Sequence, residues 1–164
     1  MRGRLIFLGV IALLVPLVVA ACSSDPDRDE ETGAIVEEGD LSVFSVRVRD
    51  CFDRPDEGDT GVAELAARPC EELHDGEAFA VFDAPGDDDA PFPGVASLEA
   101  IVAEECIGSR FEQYVDSSYA ESKYFATAIT PTEDTWEDRD DREIICVLFD
   151  PTGPITGSVR GSGE

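Results

Sequence analysis

The sequence predicts an α+β domain in which a small antiparallel sheet packs against one kinked helix or helix pair and two disulfides hold the layers together. Three observations carry that expectation. Short runs with strand patterning lie on both sides of one longer helical pattern, Leu98 to Val115. Two of those runs, Glu77 to Phe82 and Ile144 to Phe149, are apolar on both faces, as strands inside a sheet are. Four cysteines, Cys51, Cys70, Cys106 and Cys146, are distributed over strand and helix segments alike.

The stretch Ala67 to Pro85, ARPCEELHDGEAFAVFDAP, is the organising element, because it places a cysteine, the only histidine and a central strand in close succession. Before it, Phe44, Val46 and Val48 alternate with Ser45, Arg47 and Arg49, the pattern of a half-buried strand ending at Asp50-Cys51-Phe52. Asp53 to Gly61 is turn chemistry, and Val62 to Ala67 is expected to return antiparallel. After it, Ala84 to Gly94 reads as a loop and Ser97 as the N-cap of the helix. Within the helical stretch Leu98, Ile101, Val102 and Cys106 form one apolar stripe, and Ile107, Phe111, Tyr114 and Val115 form another. Gly108 between them is the expected kink or break. Tyr124 to Ile129 reads as a strand, Glu133 to Glu143 as an acidic loop around Trp136, and Pro151 to Glu164 as either a short edge strand near Ile155 to Val159 or a frayed tail. There is no internal repeat.

The ends of the chain point to export. Met1 to Ala21 has two early arginines, an apolar run from Leu5 to Val19 and small residues before Cys22, the layout of a signal peptide. Val19-Ala20-Ala21-Cys22 resembles the bacterial lipobox, which implies that the Cys22 sulfur receives a diacylglycerol and becomes the mature N-terminus. Residues 22–40, short of apolar side chains and rich in acids, are expected to form a flexible tether, since such a composition buries too little surface to offset its ordering entropy. Domain boundaries of 1–21, 22–40 and 41–161 follow.

The 164 residues suit one domain with additional sequence at its ends. The formal charge is -25; without Arg2 and Arg4 it is -27 (-25 minus two positives). Such a surface repels phosphate backbones and anionic headgroups, which argues against nucleic acid as a partner. The membrane is then met through the lipid of Cys22.

With Cys22 assigned to lipid, four cysteines remain, which in an oxidising compartment form two disulfides with three possible connectivities. Cys51 with Cys70 would close the first hairpin, and Cys106 with Cys146 would clamp the helix onto the last strand. No CxxC occurs, and cysteines this far apart with a single histidine argue against zinc, so neither metal nor cofactor is expected. His74 and Asp75 are candidate binding residues, and as half of a catalytic dyad they lack a nucleophile motif. Trp136 is either a core anchor or an exposed binding aromatic. Carboxylate pairs such as Glu77 with Asp83 could serve glycoside chemistry, but among 37 acids pairs arise by chance. Asp56 to Asp59 and Asp87 to Asp89 lack the EF-hand spacing and suit weak cation binding only. No catalytic residue is assigned.

Taken in order, Asp50-Cys51-Phe52, Pro69-Cys70, His74-Asp75, Glu77-Ala78-Phe79, Phe92-Pro93-Gly94, Cys106, Pro131-Thr132, Trp136, Asp141-Arg142 and Cys146 resemble the bacterial septum-formation domain over Leu41 to Gly161. Where that family's pattern has a glycine before Asp-Arg, this chain has Asp140, and the acidic insert around Trp136 is its own. The resemblance implies an extracytoplasmic lipoprotein or membrane-anchored protein of high-GC Gram-positive bacteria, linked to division, and brings no catalytic mechanism. The expectation is a binding or scaffolding module at the outer face of the cytoplasmic membrane, engaging an envelope protein or a cell-wall component. A cell-wall hydrolase or transferase using an acid near His74, and a structural or cation-buffering lipoprotein, are the alternatives.

Overall fold

A computed structural model describes residues 25–54, 61–87 and 89–164. The signal peptide, Cys22 and the Asp56 to Asp59 cluster lie outside the described residues, as does Asp88.

Among the described residues eight strands and three α-helices follow one another as β1 (Gly39–Ser42), β2 (Cys51–Asp53), β3 (Glu64–Arg68), β4 (Leu73–His74), β5 (Gly76–Asp83), α1 (Val95–Glu105), α2 (Ser109–Val115), β6 (Phe125–Ile129), α3 (Glu133–Arg139), β7 (Glu143–Phe149) and β8 (Ile155–Thr156). Six strands form an antiparallel sheet in the order β1-β3-β2-β5-β7-β6, and β4 pairs with β8 beside it. The architecture is the expected α+β arrangement, and the two-faced runs are its centre. β7 sends Ile144, Cys146 and Leu148 toward the helices and Ile145 and Val147 to the opposite face. Strict alternation in β5 would put Phe79 and Ala80 on opposite sides. A bulge between Ala78 and Ala80 turns both toward the helices and leaves Ala78 on the other face.

The helical stretch breaks where the glycine stands. A Cβ on Gly108 would come within 2.8 Å of the Glu104 carbonyl oxygen, so the turn between α1 and α2 requires a residue without one. Each helix then offers its own stripe: Leu98 from α1, and Phe111, Tyr114 and Val115 from α2, are buried. The α1 N-cap is Gly94, not Ser97, whose hydroxyl instead donates to the Pro93 carbonyl at 2.8 Å. Both disulfides form in the expected pairing, Cys51–Cys70 across the β2 and β3 ends and Cys106–Cys146 between the α1 terminus and β7, with Cα separations of 5.3 and 5.6 Å.

Three segments depart from the expectation. Residues 25–40 do not hang free. Asp29 to Ala34 forms a tight turn with Asp29 accepting from the Glu31 and Thr32 backbone, Ile35 is buried, and β1 begins at Gly39. One buried isoleucine and two ion pairs with the domain, Arg28 with Asp50 and Glu38 with Arg68, supply what composition alone did not reveal. Phe44 to Arg49 is a 3-10 turn and loop instead of a strand, because the Asp50 carboxylate accepts from the Arg47 N–H at 2.7 Å and bends the chain; Phe44 and Val48 stay exposed while Val46 is buried. The expected acidic loop contains α3. Thr132 and Thr135 exchange hydrogen bonds as a capping box, Glu133 and Asp134 occupy the first turn where the helix dipole favours acids, and Arg139 occupies the last. Asp140 ends α3 in the left-handed conformation at φ 57°, a geometry that suits the glycine of the family pattern. The C-terminal residues are tied down, with Gly161 and Gly163 donating to the Tyr114 and Val115 carbonyls.

Candidate functional site: a groove on the open face of the sheet

The helices cover one face of the sheet, and on the other face a groove of about 770 Å³ remains. Its floor is built from side chains on three strands, at alternate positions on β7 and on the edge strand β6: Phe52 of β2, Ile145 and Val147 of β7, and Thr127 and Ile129 of β6. These residues share the face opposite Cys146 and Leu148, so the period-two rule that buries one set against the helices presents the other set to the groove.

Charged residues of both signs form the rim. Arg54 follows β2 and lies over the Phe149 ring at 4.4 Å, and its backbone N–H donates to Asp75 at 3.3 Å. On the α3 side, Arg139 lies over the Phe44 ring at 5.2 Å, and Asp141 and Glu143 stand at the start of β7. Partial burial, with Asp141 and Asp83 alongside, raises the Glu143 carboxyl above the ordinary glutamate range. Arg54 and Arg139 are held by aromatic faces, while Asp75, Asp141 and Glu143 are left without an ion pair among the described residues. The groove therefore combines an apolar floor, hydroxyls at Thr127 and Thr130, and an acid-rich rim.

The residues singled out from the sequence divide among three places. Asp75 lines the groove. Trp136 is a core anchor: it is buried, its Nε1 donates to the Ala90 carbonyl at 2.8 Å, and the Arg142 guanidinium stacks on its ring at 3.9 Å. His74 does not line the groove and is 1% exposed, with Nδ1 donating to the Glu72 carbonyl at 2.9 Å. Its Nε2 is buried with no hydrogen-bond partner among the described residues.

Glu77, which sequence reasoning weighed only as half of a carboxylate pair, is fully buried and accepts from Tyr114 Oη and Ser158 Oγ at Oε1 and from the Val159 N–H at Oε2. It fastens the end of the chain to β5. A glutamate inside an otherwise apolar strand is the signal that marked it. The groove rim had no such signal, since Arg54, Arg139 and Asp141 resemble any surface charge until the fold gathers them.

Residues 48–162 match the family model for septum formation. The chain belongs to the septum-formation family. No curated protein and no solved structure matches it. Membership links the domain to septum formation. The match begins after β1, so the Arg28 to Ser42 segment that completes the sheet of this septum-formation domain lies outside it. Among the described residues no helix is long and apolar enough to cross a membrane.

Proposed function

We propose that this septum-formation protein is a lipid-anchored, extracytoplasmic binding module without catalytic activity of its own, and that it holds a basic segment of an envelope protein in the groove of its sheet. The groove is the observation that carries the reading. Its floor is apolar enough to bury side chains, and its unpaired rim acids, on a chain of charge -25, select a positively charged partner. The lipobox pattern at Val19 to Cys22 supports attachment through fat, which stable anchoring by two or more acyl chains would satisfy. The hydrolase reading relied on an acid near His74, and that histidine is buried outside the groove, where a ligand seated against Asp141 and Glu143 does not reach it.

Capture from envelope extracts with the full-length protein tests the reading. The Thr127→Arg variant fills the groove floor from an edge strand without touching the helix-side core. Wild type should retain a basic envelope protein, and the variant, at unchanged thermal stability, should release it. Equal capture by both would exclude the groove. Recovery of glycan strands in place of protein would exclude the partner class. Cys22→Ala should move the protein out of the membrane fraction.

A further inference from the structure

The sequence argued against zinc because its cysteines are far apart and its histidine is single, yet the fold brings three ligand types into one buried cluster. Cys51, His74 and Glu77 each offer a ligand atom, all within 4.8 Å of one another, and all three residues are buried. β2 and β5 pair antiparallel with Cys51 opposite Glu77, while the β4 turn carries His74 beneath them.

We propose that this cluster is a redox-gated metal site: a disulfide when Cys51 and Cys70 are oxidised, and a site for zinc or a similar divalent ion held by Cys51, Cys70, His74 and Glu77 when they are reduced. This site is separate from the groove and stands whether or not the groove binds a protein.

Each ligand is prepared by its surroundings. The His74 Nδ1–H is committed to the Glu72 carbonyl, which fixes the tautomer and leaves a lone pair on the partnerless Nε2, the usual arrangement of a metal-ligating imidazole. Glu77 uses both acceptor positions of Oε1, for Tyr114 and Ser158, and only one of Oε2, for Val159, so one lone pair of Oε2 remains and the carboxylate is held from three directions. Cys51 supplies a fully buried sulfur. Cys70, bonded to it and partly exposed, is the entry point for a reductant and the fourth ligand. Two cysteines, one histidine and one carboxylate match the donor types and number of a tetrahedral zinc site, whose ligand atoms stand about 3.3 to 3.8 Å apart. The present cluster would close by roughly 1 Å once the sulfurs separate.

The chemistry balances with a dithiol as reductant. Its thiolate attacks Cys70 Sγ, the Cys51–Cys70 bond breaks with its electron pair going to Cys51, and the second dithiol sulfur displaces Cys70 to leave a cyclic disulfide. The protein then holds two thiols, and binding of the divalent ion releases their two protons. Cys106 and Cys146 are both fully buried, so mild reduction of the folded chain opens the Cys51–Cys70 bond first.

The full-length protein, treated with dithiol and freed of it under nitrogen, is titrated with cobalt(II) and then zinc(II). The expected result is one ion per chain with a thiolate-to-cobalt charge-transfer band, and binding lost on reoxidation. His74→Ala and Glu77→Gln should each weaken binding at least about ten-fold, whereas Glu72→Ala, whose side chain is exposed, should not. Cys70→Ser removes the disulfide without reductant and should bind the metal through the remaining three ligands. If that variant unfolds, recovery of its circular dichroism on adding zinc supports the site. Absence of any metal effect on both the reduced protein and Cys70→Ser overturns it, as does binding that His74→Ala and Glu77→Gln leave unchanged.

Discussion

Arg28 donates to both carboxylate oxygens of Asp50, at 2.6 and 2.8 Å, and so ties the acidic N-terminal segment to the turn that opens β2. The Asp50 side chain is 3% exposed and that of Arg28 is 13% exposed, and the same carboxylate accepts from the Arg47 N–H. Arg28 also donates to the Gly33 carbonyl. This is a bidentate pair in which the carboxylate is buried and the guanidinium largely so, and removing Arg28 strands the Asp50 charge.

Arg28→Ala should therefore destabilise the domain by about 3 kcal/mol, close to the cost of breaking a buried ion pair from one side. Glu30→Ala, two residues away and exposed, should change stability by under about 0.5 kcal/mol. Urea unfolding of both variants measures the difference. An unaltered midpoint for Arg28→Ala would mean that residues 25–40 are a tether after all.

The disulfides should matter unequally. They join residues 19 and 40 positions apart, so loop-closure entropy assigns roughly 3 kcal/mol to Cys51–Cys70 and roughly 4 kcal/mol to Cys106–Cys146. Cys146→Ala also leaves a space in the centre of β7. Its Cys106 partner is fully buried, so the freed thiol should resist a thiol reagent until the protein unfolds. Differential scanning calorimetry and reagent kinetics on the folded variant check both statements.

The central strands and the broken helix were legible because each depends on local periodicity, and the cysteine pairing because the expected hairpin and helix singled out one of three connectivities. Ile144 to Phe149 is apolar on both faces, and Gly108 separates two stripes that cannot share one helix face. What was not legible depends on partners distant in sequence. Nothing near Arg28 announces Asp50, and Phe44 to Arg49 has the alternation of a strand until the Asp50 carboxylate takes the Arg47 N–H. The α3 helix was hidden by its acids, of which Glu133 and Asp134 sit in the first turn after the Thr132 cap, where the helix dipole favours them. The groove was invisible for a similar reason: Thr127 and Ile129 on β6, Val147 on β7 and Arg54 after β2 share a face only in the finished sheet.

Tyr114→Phe isolates the fastening of the chain end. Burial first, then the neighbouring Glu77, hold the Tyr114 phenol protonated far above the ordinary range, so it is a permanent donor to Oε1 at 2.5 Å. Loss of one hydrogen bond to a buried carboxylate should cost about 1.5 to 3 kcal/mol. Hydrogen exchange should localise the effect, with faster exchange at Val159, Gly161 and Gly163, whose N–H groups donate to Glu77, Tyr114 and Val115, and little change in β7. Uniform acceleration throughout the sheet would mean that the tail is not a separate fastening.

Glu143 provides a test that depends on pH. In the pairing of β5 with β7 it stands directly opposite Asp83, and Asp141 lies close by, so partial burial and two like charges raise its carboxyl above the ordinary range. The sign follows from linkage. A carboxyl that holds its proton more tightly in the folded state than in the unfolded chain weakens folding at neutral pH, and the penalty lifts as the pH falls through the raised folded value. Glu143→Gln removes the charge and keeps the shape. It should be more stable than wild type at about pH 7, by about 0.2 to 1 kcal/mol for a cross-strand like-charge pair, and the advantage should vanish below about pH 4, where both states of the wild type are protonated. Chemical denaturation of the two proteins across that interval measures it. An advantage that persists unchanged in acid would assign the effect to packing. Because Glu143 also lines the groove, the same variant should lose affinity for a basic ligand at neutral pH, so that stability and binding move in opposite directions from a single change of charge.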